Sequence, residues 1–412
     1  IIGSLINGRI EINNLLESED VIATANALRI LGVKINKLND KWEVFGSGIG
    51  NFYGSNYVLN MGNSGTGARL LMGLVAGSDV EATFVGDESL SKRPMERITL
   101  PLSKTGARIK GQTNNLPINI KGNKIVLPIE YKSSISSAQV KSSILLAGLS
   151  SLGKTTVIEP SLSRDHTERM LSFFGANIST KQLDNMSWKI TLDGVPELKP
   201  LNINIPGDPS SAAFPIVSAI ITPNSKVKIM DVCINKLRMG LYKTLIEMGA
   251  NIQFSNQREM NGELIADITA SSSSLLGVTV PKSRASSMID EYPILSIAAT
   301  RAKGETVMEG VEELRYKETD RIKAVCEGLR KVGIHTHETK NSMIIKGKGP
   351  NSPIIGGVDI SSNLDHRIAM SFLCLGLITE KSIVVKDTDT INSSFPFFID
   401  KMKKIGAKLN FV

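Results

Sequence analysis

Aromatic residues supply only 5% of the 412 residues, and there are just two tryptophans. Runs of lysine or arginine are missing as well. Single-stranded nucleic acid is held on aromatic platforms along a cationic groove, so nucleic acid is set aside as a partner despite a net charge of +8. The three cysteines, Cys233, Cys326 and Cys374, are scattered through apolar segments that read as helical. They exclude a disulfide framework or a zinc cluster and read as buried thiols of a reducing cytosol. Histidines number four. His335 and His337 alternate on one strand face beside Glu338, a weak signal for a metal site. Neither a nucleophile elbow nor a Cys–His pair occurs. No apolar run reaches the roughly 18 residues of a membrane span, and no signal peptide is visible. The cytoplasm is therefore the expected compartment. The chain opens Ile1, Ile2, Gly3, and the expectation is that its true start is missing.

Hydrophobic residues make up 41%, enough for full cores, and the length suggests about two or three domains. A basic balance without cationic runs points to acidic small molecules in a focused cleft. The stretch NMGNSGTGARLL at residues 60–71 sends a glycine-rich turn into an apolar helix. Small residues let backbone approach a ligand, and a helix N-terminus with free N–H groups favours anions. The spacing matches neither the dinucleotide fingerprint nor the P-loop, so a plain tight turn stays open.

Repetition organises the rest. The pattern [Leu/Met]-x-x-x-Gly-[Ala/Val/Ile] recurs at Leu28, Leu102, Leu171, Leu245, Leu329 and Met402, with glycines at 32, 106, 175, 249, 333 and 406. This is a helix that ends at a C′ glycine and turns into a strand, at a period of roughly 70–85 residues. Upstream of five of these ends an apolar helix precedes a β-branched strand: 69–77 then 81–85, 139–153 then 154–158, 212–222 then 226–230, 292–304 then 305–308, and 367–381 then 382–386. A helix apolar all round must be surrounded. The fold class is therefore α/β of the α+β type, in two lobes of three units each around buried helices. The first unit is short, with only Ile1–Ile6 standing for its buried helix, and reads as N-terminally truncated. The Pro/Gly-marked stretch 200–208 places the crossover near Asn204–Asp208, giving lobes 1–204 and 205–412 with a cleft between them.

Cations stand where these helices begin. Pro94 suits a first helical turn and puts Arg93 at a helix start, against the dipole, whereas Lys92 and Arg97 read as solvated. Ser136, Ser137, Ala138 and Gln139 offer hydroxyls, an amide and backbone donors before an apolar helix, with simple N-capping as the alternative. Arg164 opens another helix, on which Asp165 and Glu168 complement the dipole. Asp290 and Glu291 precede a buried helix, where an acid can act as a general base. Lys317 and Arg321, four residues apart, share a helical face with Glu318 adjacent; such a pair repels unless an anion is shared. Arg367 starts one more apolar helix.

The segments GNSGTGARLL, GDESLSKRPMERI, SAQVKSSILLAGL, SRDHTERML, PGDPSSAAF, DEYPIL, ELRYKETDRI and DHRIAMSF, in this order, resemble the 5-enolpyruvylshikimate-3-phosphate (EPSP) synthase family along essentially the whole chain. The resemblance implies two lobes of three βαβαββ repeats, an inside-out α/β barrel. It implies transfer of the enolpyruvyl group of phosphoenolpyruvate (PEP) to the 5-hydroxyl of shikimate 3-phosphate, in the shikimate pathway to aromatic amino acids, with no cofactor and as a monomer. It assigns Gly65, Arg93, Gln139, Arg321 and Arg367 to PEP. Ser137, Ala138, Gln139, Arg164, Asp290 and Lys317 go to shikimate 3-phosphate. Asp290 would accept the hydroxyl proton and Glu318 would protonate the PEP methylene. Gly65, where alanine would crowd an inhibitor, implies sensitivity to glyphosate. Two departures stand out. The family's Lys-Ser-x-Ser-x-Arg segment would fall upstream of Ile1, and the lysine some members carry near the C-terminal Ser-Phe-Pro is replaced by Asn392 and Ser393. Two alternatives remain at this point: the enolpyruvyl transferase acting on UDP-N-acetylglucosamine, which usually carries a mobile-loop cysteine, and a non-catalytic anion-binding homologue.

Overall fold

The six repeat glycines set the local geometry. A computed structural model describes residues 1–111 and 114–412, and in it every one of those glycines has a positive φ, between +79° and +102°. At five of them the amide after the glycine donates to the carbonyl of the repeat leucine or methionine: Val33 to Leu28, Ala176 to Leu171, Ala250 to Leu245, Ile334 to Leu329 and Ala407 to Met402. This is the 6→1 bond of a Schellman cap. A Cβ on Gly32 would meet nothing within 4 Å, so this position selects glycine for its dihedral and not for space.

The chain divides into two units, Ile1–Ile205 and Pro206–Val412. Among the described residues the first holds helices α1 (Glu19–Ile30), α2 (Gly65–Ala76), α3 (Glu88–Ser91), α4 (Glu96–Lys104), α5 (Ala138–Gly148) and α6 (His166–Phe173), with a 3-10 turn over Ile2–Leu5. Its strands form three four-stranded sheets of one design, each with a parallel edge pair followed by antiparallel neighbours. The orders are Ile203–Asn204, Asn7–Asn13, Lys41–Ser47, Lys34–Leu38; then Tyr53–Asn60, Asp79–Val85, Ile118–Lys121, Arg108–Lys110; and Glu130–Lys132, Lys154–Glu159, Trp188–Asp193, Ile178–Gln182. Inside the sheets lie α2 and α5, whose residues are nearly all buried. They cross where a Cβ on Gly73 would stand 2.2 Å from the Ser143 carbonyl oxygen, so the helix backbones meet directly.

The second unit holds α7 (Pro209–Ile221), α8 (Gly240–Glu247), α9 (Tyr292–Thr300), α10 (Arg321–Lys331), α11 (His366–Gly376) and α12 (Phe398–Lys404). The apolar α7, α9 and α11 form its interior, and Gly328 of α10 makes room for the Phe372 ring, which would stand 2.2 Å from a Cβ there. Its sheets are Lys226–Cys233, Glu263–Ser271, Asn251–Met260; then Leu275–Leu276 and Thr279–Val280 beside Ala302–Glu309, Ser342–Lys348, His335–Glu338; and the parallel pairs Ile354–Gly356 with Thr379–Lys381 and Asp359–Ser361 with Val384–Lys386. All sheets are open; the described strands close no barrel.

Several boundaries differ from the sequence reading. The helices read as 139–153, 292–304 and 367–381 end at Gly148, Thr300 and Gly376. In the latter two cases residues read into the helix already begin a strand, at Ala302 and Thr379. Apolar periodicity alone does not separate a buried helix end from a buried strand start. No strand forms after Gly406 among the described residues. Cys326 and Cys374 lie on helices as read, but Cys233 closes a strand; all three are buried free thiols. Burial pushes Cys374 up to about 12 and Cys233 up to about 11, which leaves both inert as nucleophiles.

Candidate active site

In the first unit α2 begins at Gly65 with Ser64 as its N-cap, Ser64 Oγ accepting the Gly67 N–H at 3.3 Å. A Cβ on Gly67 would lie 2.6 Å from both Ser64 Oγ and Thr24 Oγ1 of α1. Gly67 is thus explained by close packing. Gly65 opens space for cations: a Cβ there would lie 3.0 Å from Arg93 Nη1 and 3.6 Å from Arg69 Nη1. The spacing predicted Arg93 at a helix start, and the structure places it elsewhere. It stands in the connection between α3 and α4, because Met95, and not Arg93, is the residue before the first turn. Its Nη2 donates to Asn63 Oδ1 at 2.7 Å, and Asn63 Nδ2 donates to Asp87 at 2.6 Å.

Gln139, the second residue of α5, is held from α2. Its Oε1 accepts Arg69 Nη1 at 2.6 Å and its Nε2 donates to Thr66 Oγ1 at 2.8 Å. Ser137 is the N-cap of α5, accepting the Val140 N–H at a long 3.5 Å, and Ala138 is the first helical residue. Ser136 Oγ donates to the Ser161 carbonyl at 2.6 Å, which ties this helix start to the loop carrying half-buried Arg164. Arg164 lies one residue before Asp165, the residue at the start of α6. Sequence reasoning missed Asn63, Thr66 and Arg69. A lone arginine in an otherwise apolar helix was the available signal for the last.

In the second unit Asp290 gathers the cations. Lys317 Nζ and Arg321 Nη1 each lie 3.5 Å from its Oδ1, and Arg367 Nη1 donates to its backbone carbonyl at 3.3 Å. The spacing had placed Lys317 and Arg321 on one helical face. The structure separates them: Lys317 follows a 3-10 turn in extended conformation, and α10 starts only at Arg321. Proximity arises through the shared carboxylate instead. Arg321 is 1% exposed. Its Nε donates to Asp365 at 2.7 Å, and its Nη2 donates to Glu318 at 2.5 Å and to Asp365 at 3.3 Å. Burial works to lower this guanidinium, and Asp365 and Glu318 more than reverse it, so the group is held raised. Asp365 itself caps α11 through the N–H groups of Arg367 and Ile368.

Beside this group lies a second one that sequence reasoning missed. Arg238 Nη2 donates to Asp208 at 2.7 Å and to Ser210 at 2.6 Å, and Ser210 Oγ donates to the buried Glu291. Arg367 Nη1 stands 3.8 Å from Glu291. Burial tends to raise Asp208, but Arg238 and Arg367 hold it down to about 2. Only the PGD stretch hinted at this group. His335 and His337 are exposed on their strand.

His366, the first residue of α11, is held down to about 4 by burial and then by the Arg367 charge. Its folded value lies below the ordinary 6.5, so its neutral form belongs to the native state. The stability this contributes is fully present above about pH 6.5 and is lost as pH falls toward 4. Roughly 2–3 kcal/mol should disappear between pH 7 and pH 4.5. Urea unfolding at the two pH values checks this, and His366→Gln should flatten the difference; an unchanged slope in that variant would refute the assignment.

Residues 1–402 match the family profile described as EPSP synthase (3-phosphoshikimate 1-carboxyvinyltransferase). The chain is 49% identical to the 3-phosphoshikimate 1-carboxyvinyltransferase of Parvibaculum lavamentivorans, across 99% of this chain and 90% of that protein. It is also 49% identical to that of Bartonella quintana, across 100% and 93%. Among solved structures, EPSP synthase from Acinetobacter baumannii superposes with a TM-score of 0.87 at 42% identity, covering 98% of this chain and 92% of the other. The enolpyruvyl transferase NikO from Streptomyces tendae gives 0.75 at 16% identity, covering 98% and 91%, a likeness of fold alone. No helix among the described residues is long and apolar enough to cross a membrane.

Proposed function

The chain belongs to the EPSP synthase family, the 3-phosphoshikimate 1-carboxyvinyltransferases, and from that premise we propose how its residues move the enolpyruvyl group of PEP onto the 5-hydroxyl of shikimate 3-phosphate. The observation that carries the reading is Asp290: its carboxylate draws Lys317 and Arg321, its backbone carbonyl takes Arg367, and Glu318 sits on the same Arg321 guanidinium. Asp290 accepts the proton as the hydroxyl oxygen bonds to C2 of PEP, and Glu318 delivers a proton to the methylene carbon. The tetrahedral adduct then collapses: the methyl carbon returns a proton to Glu318 and re-forms the C2=C3 double bond as the C–O bond to phosphate breaks, phosphate leaves with the proton held by Asp290, and EPSP is released.

Both substrates are multiply charged anions. Two unit charges 4 Å apart repel by about 4 kcal/mol at an effective dielectric of 20, so cations must be fixed in place before either arrives. Arg93 and Gln139 beside Gly65, with Arg321 and Arg367, serve PEP. Ser137, the Ala138 backbone, Gln139, Arg164, Asp290 and Lys317 serve shikimate 3-phosphate. Arg321 acts chiefly by orienting Glu318 and Asp290, since its donors are taken up by carboxylates. No cofactor enters this scheme. The reading takes the chain as a cytoplasmic monomer, which sedimentation velocity tests.

A phosphate-release assay decides the matter. Release that requires both PEP and shikimate 3-phosphate supports the reading. Release with UDP-N-acetylglucosamine as the second substrate, or PEP binding without turnover, overturns it. Gly65→Ala is expected to push the Arg93 guanidinium aside, since the added methyl stands 3.0 Å from its Nη1. Misplacing a binding group by a few tenths of an ångström should raise the KM for PEP about three- to tenfold and raise the glyphosate concentration needed for inhibition. An unchanged KM for PEP in steady-state assays would show that Gly65 does not place Arg93.

A further inference from the structure

Behind the helix start and loop assigned to shikimate 3-phosphate lies a buried ionic cluster that the proposed reaction does not use. Lys141 sits one turn into α5 with its side chain 0% exposed. Its Nζ donates to Glu159 Oε1 at 3.1 Å, at the end of strand Lys154–Glu159, and lies 2.6 Å from Glu168 Oε1 of α6. The sequence reading took Glu168 for a dipole complement; the structure turns it inward, 5% exposed. Burial pushes the Glu168 carboxyl up against the opposing pull of Lys141. The same atoms grip one backbone segment. Lys141 Nζ donates to the Ser163 carbonyl at 3.3 Å. Glu159 accepts the Ser163 N–H at 2.8 Å and its hydroxyl at 2.8 Å. Ser163 is the residue before Arg164, and Lys141 N–H donates to the carbonyl of Ser137, one turn earlier.

Stability alone does not account for this arrangement, because replacing a buried ion pair by apolar groups of similar volume is often neutral or favourable. What the charges supply here is register between α5, strand 154–159 and the loop before α6. We propose that Lys141 and Glu159 are positioning residues that lock the 161–165 loop onto α5, so that Arg164 and Ser137 present together to shikimate 3-phosphate. This rests on the substrate assignment of Arg164 and Ser137 above.

Steady-state kinetics with each substrate varied separately, together with thermal unfolding, test it on Lys141→Met, on the double change Lys141→Met with Glu159→Leu, on Ser163→Ala and on Arg164→Ala. Lys141→Met should raise the KM for shikimate 3-phosphate at least about tenfold, and Ser163→Ala about threefold, with the KM for PEP within about twofold. The double variant removes the Glu159 charge that Lys141→Met strands, while burial favours the neutral form of the remaining Glu168, and it should recover part of the thermal stability without recovering that KM, a split that a merely structural role does not produce. The proposal is overturned if both KM values move together in step with lost stability, or if the double variant restores affinity. It also falls if Arg164→Ala raises the KM for shikimate 3-phosphate while Lys141→Met and Ser163→Ala do not. If Arg164→Ala itself leaves that KM unchanged, the substrate assignment fails and the positioning role goes with it.

Discussion

Asp365→Ala is expected to lower the unfolding free energy by about 3–5 kcal/mol and kcat/KM by at least about 100-fold. Asp365 is wholly buried and takes two donors of Arg321, itself 1% exposed. Removing one partner of a buried ion pair strands the other charge, which costs about 3–5 kcal/mol. Glu318 and Asp290 remain beside Arg321 and offset part of that. Loss of the α11 cap adds about 0.5–2 kcal/mol in the other direction, since Asp365 also accepts the N–H groups of Arg367 and Ile368. The catalytic loss follows because an unanchored guanidinium no longer fixes Glu318 and Asp290, and misplacement by about 1 Å costs on the order of 100-fold. Asp365→Asn keeps a capping side chain and removes the charge, so it separates the two contributions. Urea unfolding of both variants provides the measurement. A loss below about 1 kcal/mol for Asp365→Ala would mean that Arg321 does not depend on this carboxylate.

Asp365 also shows where sequence reading reached its limit. The helix ends were legible because they are local: a glycine with positive φ two residues past the last helical turn, with a leucine or methionine four residues before it, is one chemical device, and it occurs six times. The buried helices were legible because each is apolar all round. The candidate site could be nominated only as residue types, arginines near apolar helix starts, and Arg93 stands in a connection instead of at such a start. What joins those residues was not legible. Asp365 lies 44 positions from Arg321 and Asp290 lies 31, and no periodicity links them. Arg69 reaching Gln139 across 70 residues is the same case. Spacing also misled, at Arg93 and again at Lys317 and Arg321. Four residues between Lys317 and Arg321 suggested one helical face, but the chain breaks between them, and a carboxylate from elsewhere brings them together. Lys141 was invisible for a related reason: one lysine in SAQVKSSILLAGL reads as a solvated helical position until the two glutamates around it are known.

The largest kinetic effect is expected at that shared carboxylate. Asp290→Asn preserves shape and removes the capacity to take a proton. General-base contributions are typically about 100- to 10,000-fold, and kcat should fall within that range. Binding should change in the opposite sense or little. Asp290 now offsets the charges of Lys317 and Arg321, and its neutral replacement leaves both more available to an anionic substrate, so the KM for shikimate 3-phosphate should stay level or drop. Lys317→Met supplies the contrast: it removes a cation 3.5 Å from the carboxylate, so its principal effect should be a raised KM for shikimate 3-phosphate. Glu318→Gln tests the second proton. If Glu318 protonates the methylene carbon, exchange of the PEP C3 hydrogens with deuterated solvent should be suppressed in that variant as strongly as turnover is. An Asp290→Asn enzyme retaining kcat within about tenfold of the parent would take the base away from Asp290. The pairing with Lys317 and Arg321 would then serve charge neutralisation alone, and the proton would have to leave through another group within reach of the 5-hydroxyl.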